Sequence, residues 1–395
     1  MELVDKQHRG LFGVLFGVFV LYGTSMTIIG ATLPRMLATF HWDYVTAGVV
    51  MAGGGVAFFV STFASGHLVH AVGPKKALLL GLALVLVGVA FFGAVPDPVT
   101  NLLLNILVGL GQGALEVTVN SAAVRLDSRR TGAPMTLMQG AFAVGAIAGP
   151  LALGALVQAG WSWTLVYRAM AAVFGLLLVA LLTQRFDLPA APAEAAGGRK
   201  RSSHPVTWLG FAVLFLYVGV ELGVSSWVAE YFIRTLHFDT VSAALLVSLF
   251  WAGILLGRFG VPWLAARAHP DRQLVVFTTV ATGFVVLLAL LGSAGGQVWA
   301  PALGVAAVFG AGLGCSVIYG LVITLVGLTF PHAQSQAIGF AATGGGIGAF
   351  LFPFFGSVLA QAWGLQSGFA AFAGFAVLMA VGSAVLVKKA RPDHS

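Results

Sequence analysis

The sequence predicts an all-α membrane protein, with twelve transmembrane helices in two pseudo-symmetric six-helix bundles. Three observations predict it. Of 395 residues, 59% are hydrophobic and only 8% charged, against about a quarter charged in soluble domains. The apolar residues fall in twelve stretches, each long enough to cross a bilayer as a helix. The two halves also echo each other: His41-Trp42-Asp43 follows the first stretch and His237-Phe238-Asp239 the seventh.

In order, the stretches are Leu11 to Leu33, Val45 to Gly66, Ala77 to Val95, Asn101 to Val124, Thr136 to Ala159, Thr164 to Leu182, Val206 to Ile233, Val241 to Leu264, Leu274 to Leu291, Ala300 to Phe330, Ala337 to Gln361 and Ser367 to Val387. Only helices or closed barrels satisfy their backbone in lipid, and runs this continuous are helices. The first is longer than a signal-peptide core and is expected to be retained. Thr183 to Pro205 is the one long polar segment and carries Pro, Gly, Ser, Arg199, Lys200 and Arg201, a flexible-linker composition. The organisation expected is therefore residues 1–182 as an N-terminal bundle, 183–205 as a cytoplasmic linker and 206–395 as a C-terminal bundle.

Lysine and arginine set the orientation. With the N-terminus cytoplasmic, all of the 20 basic residues except Arg35, Arg168 and Arg234 lie on cytoplasmic segments or helix ends, among them Arg125, Arg129, Arg130, Arg185, Arg267, Arg272, Lys388, Lys389 and Arg391. This asymmetry places both termini in the cytoplasm of a multi-pass inner-membrane protein. The formal charge of +7 is thereby explained by topology, with no nucleic-acid partner. The single cysteine, Cys315, excludes an intrachain disulfide framework. No metal-ligand or nucleophile motif appears, so the chain reads as a non-enzyme without metal or cofactor.

The repeat extends through the apolar stretches. Leu21-Tyr22 returns as Leu216-Tyr217, while Gly145-Ala146, Pro150 and Gly154 return as Gly348-Ala349, Pro353 and Gly356. Internal repeats of this kind build secondary transporters, whose substrate sites lie near the midplane between the halves. The glycine clusters Gly53-Gly54-Gly55 and Gly344-Gly345-Gly346 lie within spans and lack the Lys-Ser/Thr of a phosphate loop. Close helix packing or helix bending is the reading for them.

Chemistry concentrates in the fourth stretch. Gln112, Glu116 and Asn120 stand one turn apart and share a helix face. A carboxylate at that depth needs water, a partner or a proton, which makes Glu116 a functional candidate. Low dielectric disfavours its charged form, so it can take a proton in one state and release it in another. Glu221, with Tyr217 and Ser225 one turn to either side, is the second deep acid: a second proton site, an acceptor for a substrate hydroxyl, or a packing carboxylate. Glu230 is expected near water at an outer helix end, with no special role. Small polar substrates are held by amides, carboxylates and hydroxyls against aromatic rings; Tyr22, Asn120, Gln139, Tyr217, Trp227, Trp251 and Tyr319 are the available groups. Trp42, Trp161 and Trp163 fit an interfacial belt, and Arg168 is expected to snorkel outward.

Between the second and third stretches, Gly66-His67-Leu68-Val69-His70-Ala71-Val72-Gly73-Pro74-Lys75-Lys76 resembles the loop signature of the major facilitator superfamily. His70 stands at that signature's acidic position, and Ala71 at the arginine after it. The resemblance implies gating roles for Gly66, His70, Gly73, Lys75 and Lys76, and for Arg258 in Gly257-Arg258, the second-half counterpart. Gly111, Gly113, Leu115, Glu116 and Asn120, Tyr217 to Glu221 with Trp227, and Gly145 to Pro150 look like the fucose and glucose permease branch, and the likeness covers nearly the whole chain. It implies a monomeric sugar:proton symporter working by alternating access, with Glu116 the proton carrier and Asn120 a sugar ligand. One departure stands out. The branch has an aspartate four residues before the proline ending the first helix, and here Gly30 precedes Pro34 at that spacing.

The function expected is proton-coupled symport of a sugar or related polyol by a chain in contact with the lipid bilayer. Sodium in place of the proton stays open. The alternative is a proton-coupled efflux antiporter for amphiphilic drugs or lipids, in keeping with 30 phenylalanines. A non-transporting sensor is disfavoured because linker and tails are too short for a signalling domain.

Overall fold

In the computed structural model, the described residues are 4, 6–126, 133–186, 204–264, 269–294, 296–330 and 334–390. Most of the expected linker, together with Arg129, Arg130, Arg199, Lys200, Arg201, Arg267 and Arg391, lies outside them. Twelve helices among the described residues are long and apolar enough to cross a membrane. The chain divides into two compact units, residues 1–42 with 49–195, and residues 43–48 with 196–395.

The first unit is built on α1 (Arg9–Phe40), α2 (Tyr44–Val72), α3 (Pro74–Phe91), α4 (Pro98–Leu126), α5 (Ala133–Gln158) and α6 (Trp163–Thr183); the first turn of α2 counts with the second unit. Pro34 does not end the first helix: α1 continues through it to Phe40. A proline removes one backbone donor, and membrane helices tolerate that loss when neighbouring groups satisfy the freed carbonyl. Pro150 in α5 shows how. It leaves the Ala146 carbonyl without its helical N–H, and Thr27 on α1 donates its hydroxyl there at 3.0 Å. Thr24 similarly donates to the Gly145 carbonyl at 3.1 Å. These bonds need the two backbones close together, and a Cβ on Gly145 would collide with the Val20 carbonyl.

α3 and α6 run antiparallel and are fastened at both ends. The Lys75 ammonium, in the first turn of α3, donates to the carbonyls of Leu182 and Gln184 at 2.9 and 2.7 Å, where α6 finishes. Arg168, in the second turn of α6, donates to the Phe92 carbonyl at the end of α3 at 3.0 Å, and to Thr164 at 2.8 Å. Each cation sits on the negative end of the other helix, whose last carbonyls lack intrahelical partners. Arg168 therefore spends its guanidinium on the backbone carbonyls at these two helix ends. Trp42 and Trp163 differ from belt residues: both are buried, donating to the Pro96 carbonyl and the Thr39 hydroxyl, whereas Trp161 is exposed.

The second unit contains α7 (Pro205–Leu236), α8 (Thr240–Leu264), α9 (Pro270–Leu291), α10 (Ala300–Cys315), α11 (Ile318–Thr329), α12 (Gln334–Trp363) and α13 (Leu365–Ala390). Here the tenth stretch departs from the single helix expected, because α10 and α11 are two pieces of one span with a break at Ser316 and Val317. The repeated glycines do the same job as in the first unit. A Cβ on Gly348 of α12 would meet the Phe215 carbonyl of α7, just as one on Gly145 of α5 meets Val20 of α1.

The His-aromatic-Asp repeat is a corner between helices. His41 and His237 close α1 and α7 in the left-handed conformation, with φ of 56° and 57°. Two residues on, Asp43 accepts from the Thr46 amide at 2.7 Å, and Asp239 from the amides of Val241 and Ser242 at 2.9 and 3.0 Å. One residue type stops a helix, the next packs, and the third caps the following helix.

Candidate functional site

Glu116 lies half-buried on α4, and the buried Tyr22 of α1 donates its hydroxyl to the carboxylate at 2.5 Å. One turn along each helix the seam repeats: Gln112 donates its amide to the Ser25 hydroxyl at 2.8 Å, and Ser25 donates to the Tyr22 carbonyl at 2.9 Å. α1 thus meets the polar face of α4 with a tyrosine and a serine three residues apart, a helical spacing. The Tyr22 ring is held between Phe19 and Phe142, with centroids 5.4 and 5.1 Å away. Asn120, one turn beyond Glu116, keeps a buried side-chain oxygen with no hydrogen-bond partner. Gln139 is half-buried on α5, one turn before Phe142. Tyr22, Glu116, Gln112 and Ser25 are therefore joined by contacts, while Asn120 offers an unused acceptor.

In the second unit, Tyr217 donates to Glu221 at 3.0 Å within α7, so both repeat-related tyrosines face a carboxylate. One partner comes from another helix and the other from the same helix. Trp251 of α8 donates its indole N–H to Ser225 at 2.8 Å, and Trp227 donates to the Pro353 carbonyl at 3.0 Å. Both indoles are buried, and the polar handle of each is already used. Tyr319, in the first turn of α11, is 40% exposed.

Glu230 differs from the water-facing residue expected. It is 1% exposed and accepts from Arg234 at 2.9 Å and from the Tyr44 hydroxyl at 3.1 Å, Tyr44 being counted with the same unit. Position near a helix end suggested water, but the tyrosine that covers it comes from a distant stretch that periodicity does not reveal.

The signature residues also take defined places. His70 is exposed in the last turn of α2, not in a loop, and Gly66 is exposed one turn earlier. Gly73 adopts φ 83° and its amide donates to the Val69 carbonyl at 3.0 Å, ending α2, after which Pro74 opens α3. The glycine supplies the left-handed turn and the proline a preset first helical residue. Lys75 holds α6 and Lys76 is exposed. Arg258 is half-buried on α8 and donates to the Ser316 carbonyl at 3.4 Å. Outside the spans, Asp43, Asp97 and Asp239 are held below the usual carboxylate range by hydrogen bonds from Thr46, Thr100 and Ser242 respectively.

Ser25, Phe142 and Tyr44 were not among the candidates read from the sequence. Ser25 and Phe142 lie one helical turn from Tyr22 and Gln139, and that spacing was the available signal. Nothing in the sequence points to Tyr44.

Residues 15–311 match the family model described as Major Facilitator Superfamily. The chain is 25% identical over 368 residues to the glucose/mannose transporter GlcP of Bacillus subtilis, covering 86% of each. It is 24% identical over 348 residues to a putative glucose/galactose transporter of Helicobacter pylori, covering 83% of each. Among solved structures, that of a D-xylose-proton symporter superposes with a TM-score of 0.76 at 15% identity, over 96% of this chain and 97% of that one.

Proposed function

Since this chain belongs to the Major Facilitator Superfamily, we propose that it is a proton-coupled symporter of a sugar or related polyol, working by alternating access. It is a multi-pass membrane transporter, not an enzyme. The observation that carries the proton coupling is the contact between Tyr22 and Glu116: a carboxylate within a span whose partner is a phenol and not a cation. Such a group carries a net charge unless it takes up a proton, and bound water or substrate that displaces the phenol changes how readily it does so. The sugar assignment draws on the two relatives named as glucose transporters and on the unpartnered oxygen of Asn120, an acceptor suited to a hydroxyl. The placing of basic residues supports cytoplasmic termini, and the presence of both bundles in one chain supports a monomeric transporter.

The test is uptake of radiolabelled glucose, galactose and mannose into proteoliposomes under an imposed inward proton gradient. Accumulation that collapses with a protonophore, and that Glu116→Gln converts to gradient-independent exchange, is the expected result. Accumulation that follows a sodium gradient and ignores the proton gradient refutes it.

A further inference from the structure

α9 and α13 pack antiparallel in a single register. A Cβ on Gly292, which caps the end of α9, would meet the Gln366 side chain in the first turn of α13. Ten residues along each helix, in opposite directions, Thr282 donates its hydroxyl to the Ala376 carbonyl at 2.8 Å. A further ten bring Arg272 level with Leu386, so that Lys388 and Lys389 stand only about 3 and 4.5 Å beyond it along the axis. Three exposed cations therefore meet at the joined ends of these two helices. Asp271, in the first turn of α9, is the acid beside them.

The corresponding end of the first unit is built differently. Pro74-Lys75-Lys76 opens α3 and Pro270-Asp271-Arg272 opens α9, so the lysine that holds the carbonyls of α6 has Asp271 in its place. At α9 and α13 none of the three cations is hydrogen-bonded or ion-paired to another of the described residues. Each helix instead runs on from its cations as an exposed apolar face. Val276 stands one turn from Arg272, and Val377, Val381 and Val385 recur at helical spacing up to Lys388 and Lys389, all within spans long enough to cross a membrane. Cations at the ends of exposed apolar faces complement a molecule with an anionic head and hydrocarbon tails. A soluble polyanion would leave the valines uncovered.

We propose that Arg272, Lys388 and Lys389 bind the phosphodiester of an anionic phospholipid in the leaflet nearest the end of α13, with its acyl chains against Val276, Val381 and Val385. Charge complementarity selects the headgroup. Three cations against one acid favour a lipid with net negative charge, whereas a zwitterionic lipid brings a cation of its own and gains less. The site does not depend on which substrate crosses the membrane.

The test uses the purified full chain in detergent, titrated with phosphatidylglycerol and with phosphatidylcholine of the same acyl chains. Native mass spectrometry is expected to show wild type retaining phosphatidylglycerol in preference. The triple variant Arg272→Gln/Lys388→Gln/Lys389→Gln should lose that preference, with binding weakened about fivefold for each cation removed. Lys76→Gln/Arg185→Gln, at the corresponding end of the first unit, should keep it. An equal loss in that control, an undiminished preference in the triple variant, or no preference in wild type overturns the site. Glycerophosphoglycerol, the headgroup without tails, should not displace the lipid at millimolar concentration; full displacement would make this a site for a soluble phosphodiester and refute the lipid. Should the triple variant fail to fold, wild type alone carries the test. A photoactivatable phosphatidylglycerol must then cross-link to the peptides holding residues 272–276 and 381–389, and labelling confined to other peptides refutes the proposal.

Discussion

His41 and His237 adopt one backbone conformation, φ 56° and 57°, and are the two non-glycine residues with positive φ among those described. Left-handed backbone costs an L-residue about 1–2 kcal/mol, and both histidines take it at the same point of the repeat. The β-branched variant His237→Val is expected to lower stability by about 1–2 kcal/mol, while His237→Gly is neutral or stabilising. Thermal melting of the purified protein in detergent distinguishes them; equal melting of the two variants would contradict the assignment.

Asp239 completes the same corner. Asp239→Ala should cost about 1 kcal/mol through loss of the cap on α8, and Asp239→Asn much less. Because hydrogen bonds from Ser242 hold the carboxyl below its ordinary range, its contribution is fully present above the unfolded value of about 3.9. That contribution is lost as pH falls through the folded value. The acid limb of stability against pH should therefore flatten in Asp239→Asn, as measured by melting between pH 6 and the onset of acid unfolding.

The hydroxyl of Thr27 and the ring of Pro150 are predicted to be coupled. Thr27→Val strands the Ala146 carbonyl and should cost about 1–3 kcal/mol. In Pro150→Ala the helix regains its own donor, so adding Thr27→Val to that background should cost clearly less. Additive effects in this cycle would show that the threonine does not satisfy the proline's orphan.

Gly145 and Gly348 allow α1 to touch α5 and α7 to touch α12. Valine at either position places atoms where a backbone carbonyl already lies, so each variant should lose at least about 1–3 kcal/mol. A shift from the monodisperse peak toward aggregate on size exclusion is the expected observation. Wild-type behaviour for both variants would mean the helices lie further apart.

Tyr22→Phe removes the phenol from Glu116 while keeping the ring between Phe19 and Phe142. Sugar exchange without a gradient should persist, and proton-driven accumulation should fall by about tenfold, the worth of one hydrogen bond to a charged group. Equal losses in exchange and accumulation would place Tyr22 in substrate binding instead.

What could be read beforehand follows from the range of the forces involved. The spans were legible because lipid demands long apolar runs, and the repeat was legible because His-aromatic-Asp encodes a local corner. Lys75 as a tether, Tyr44 over Glu230 and Tyr22 on Glu116 were not. Each joins helices far apart in the chain, and no periodicity within one helix names its partner on another. The break at Ser316 was hidden for a related reason: Gly310 to Ser316 is as small and apolar as many unbroken helices, and the arginine on its carbonyl comes from α8. Pro34 misled in the opposite direction, since a proline that ends a helix in water can remain inside one in lipid.

The reciprocal grip of Lys75 and Arg168 has a mechanical consequence. Two rods tied head to tail at both extremities cannot slip lengthwise past each other without first tearing a cation from its carbonyls. Whatever rocking accompanies transport, α3 and α6 must travel as a single plank, and spin labels at their facing ends should report one invariant separation while labels elsewhere drift.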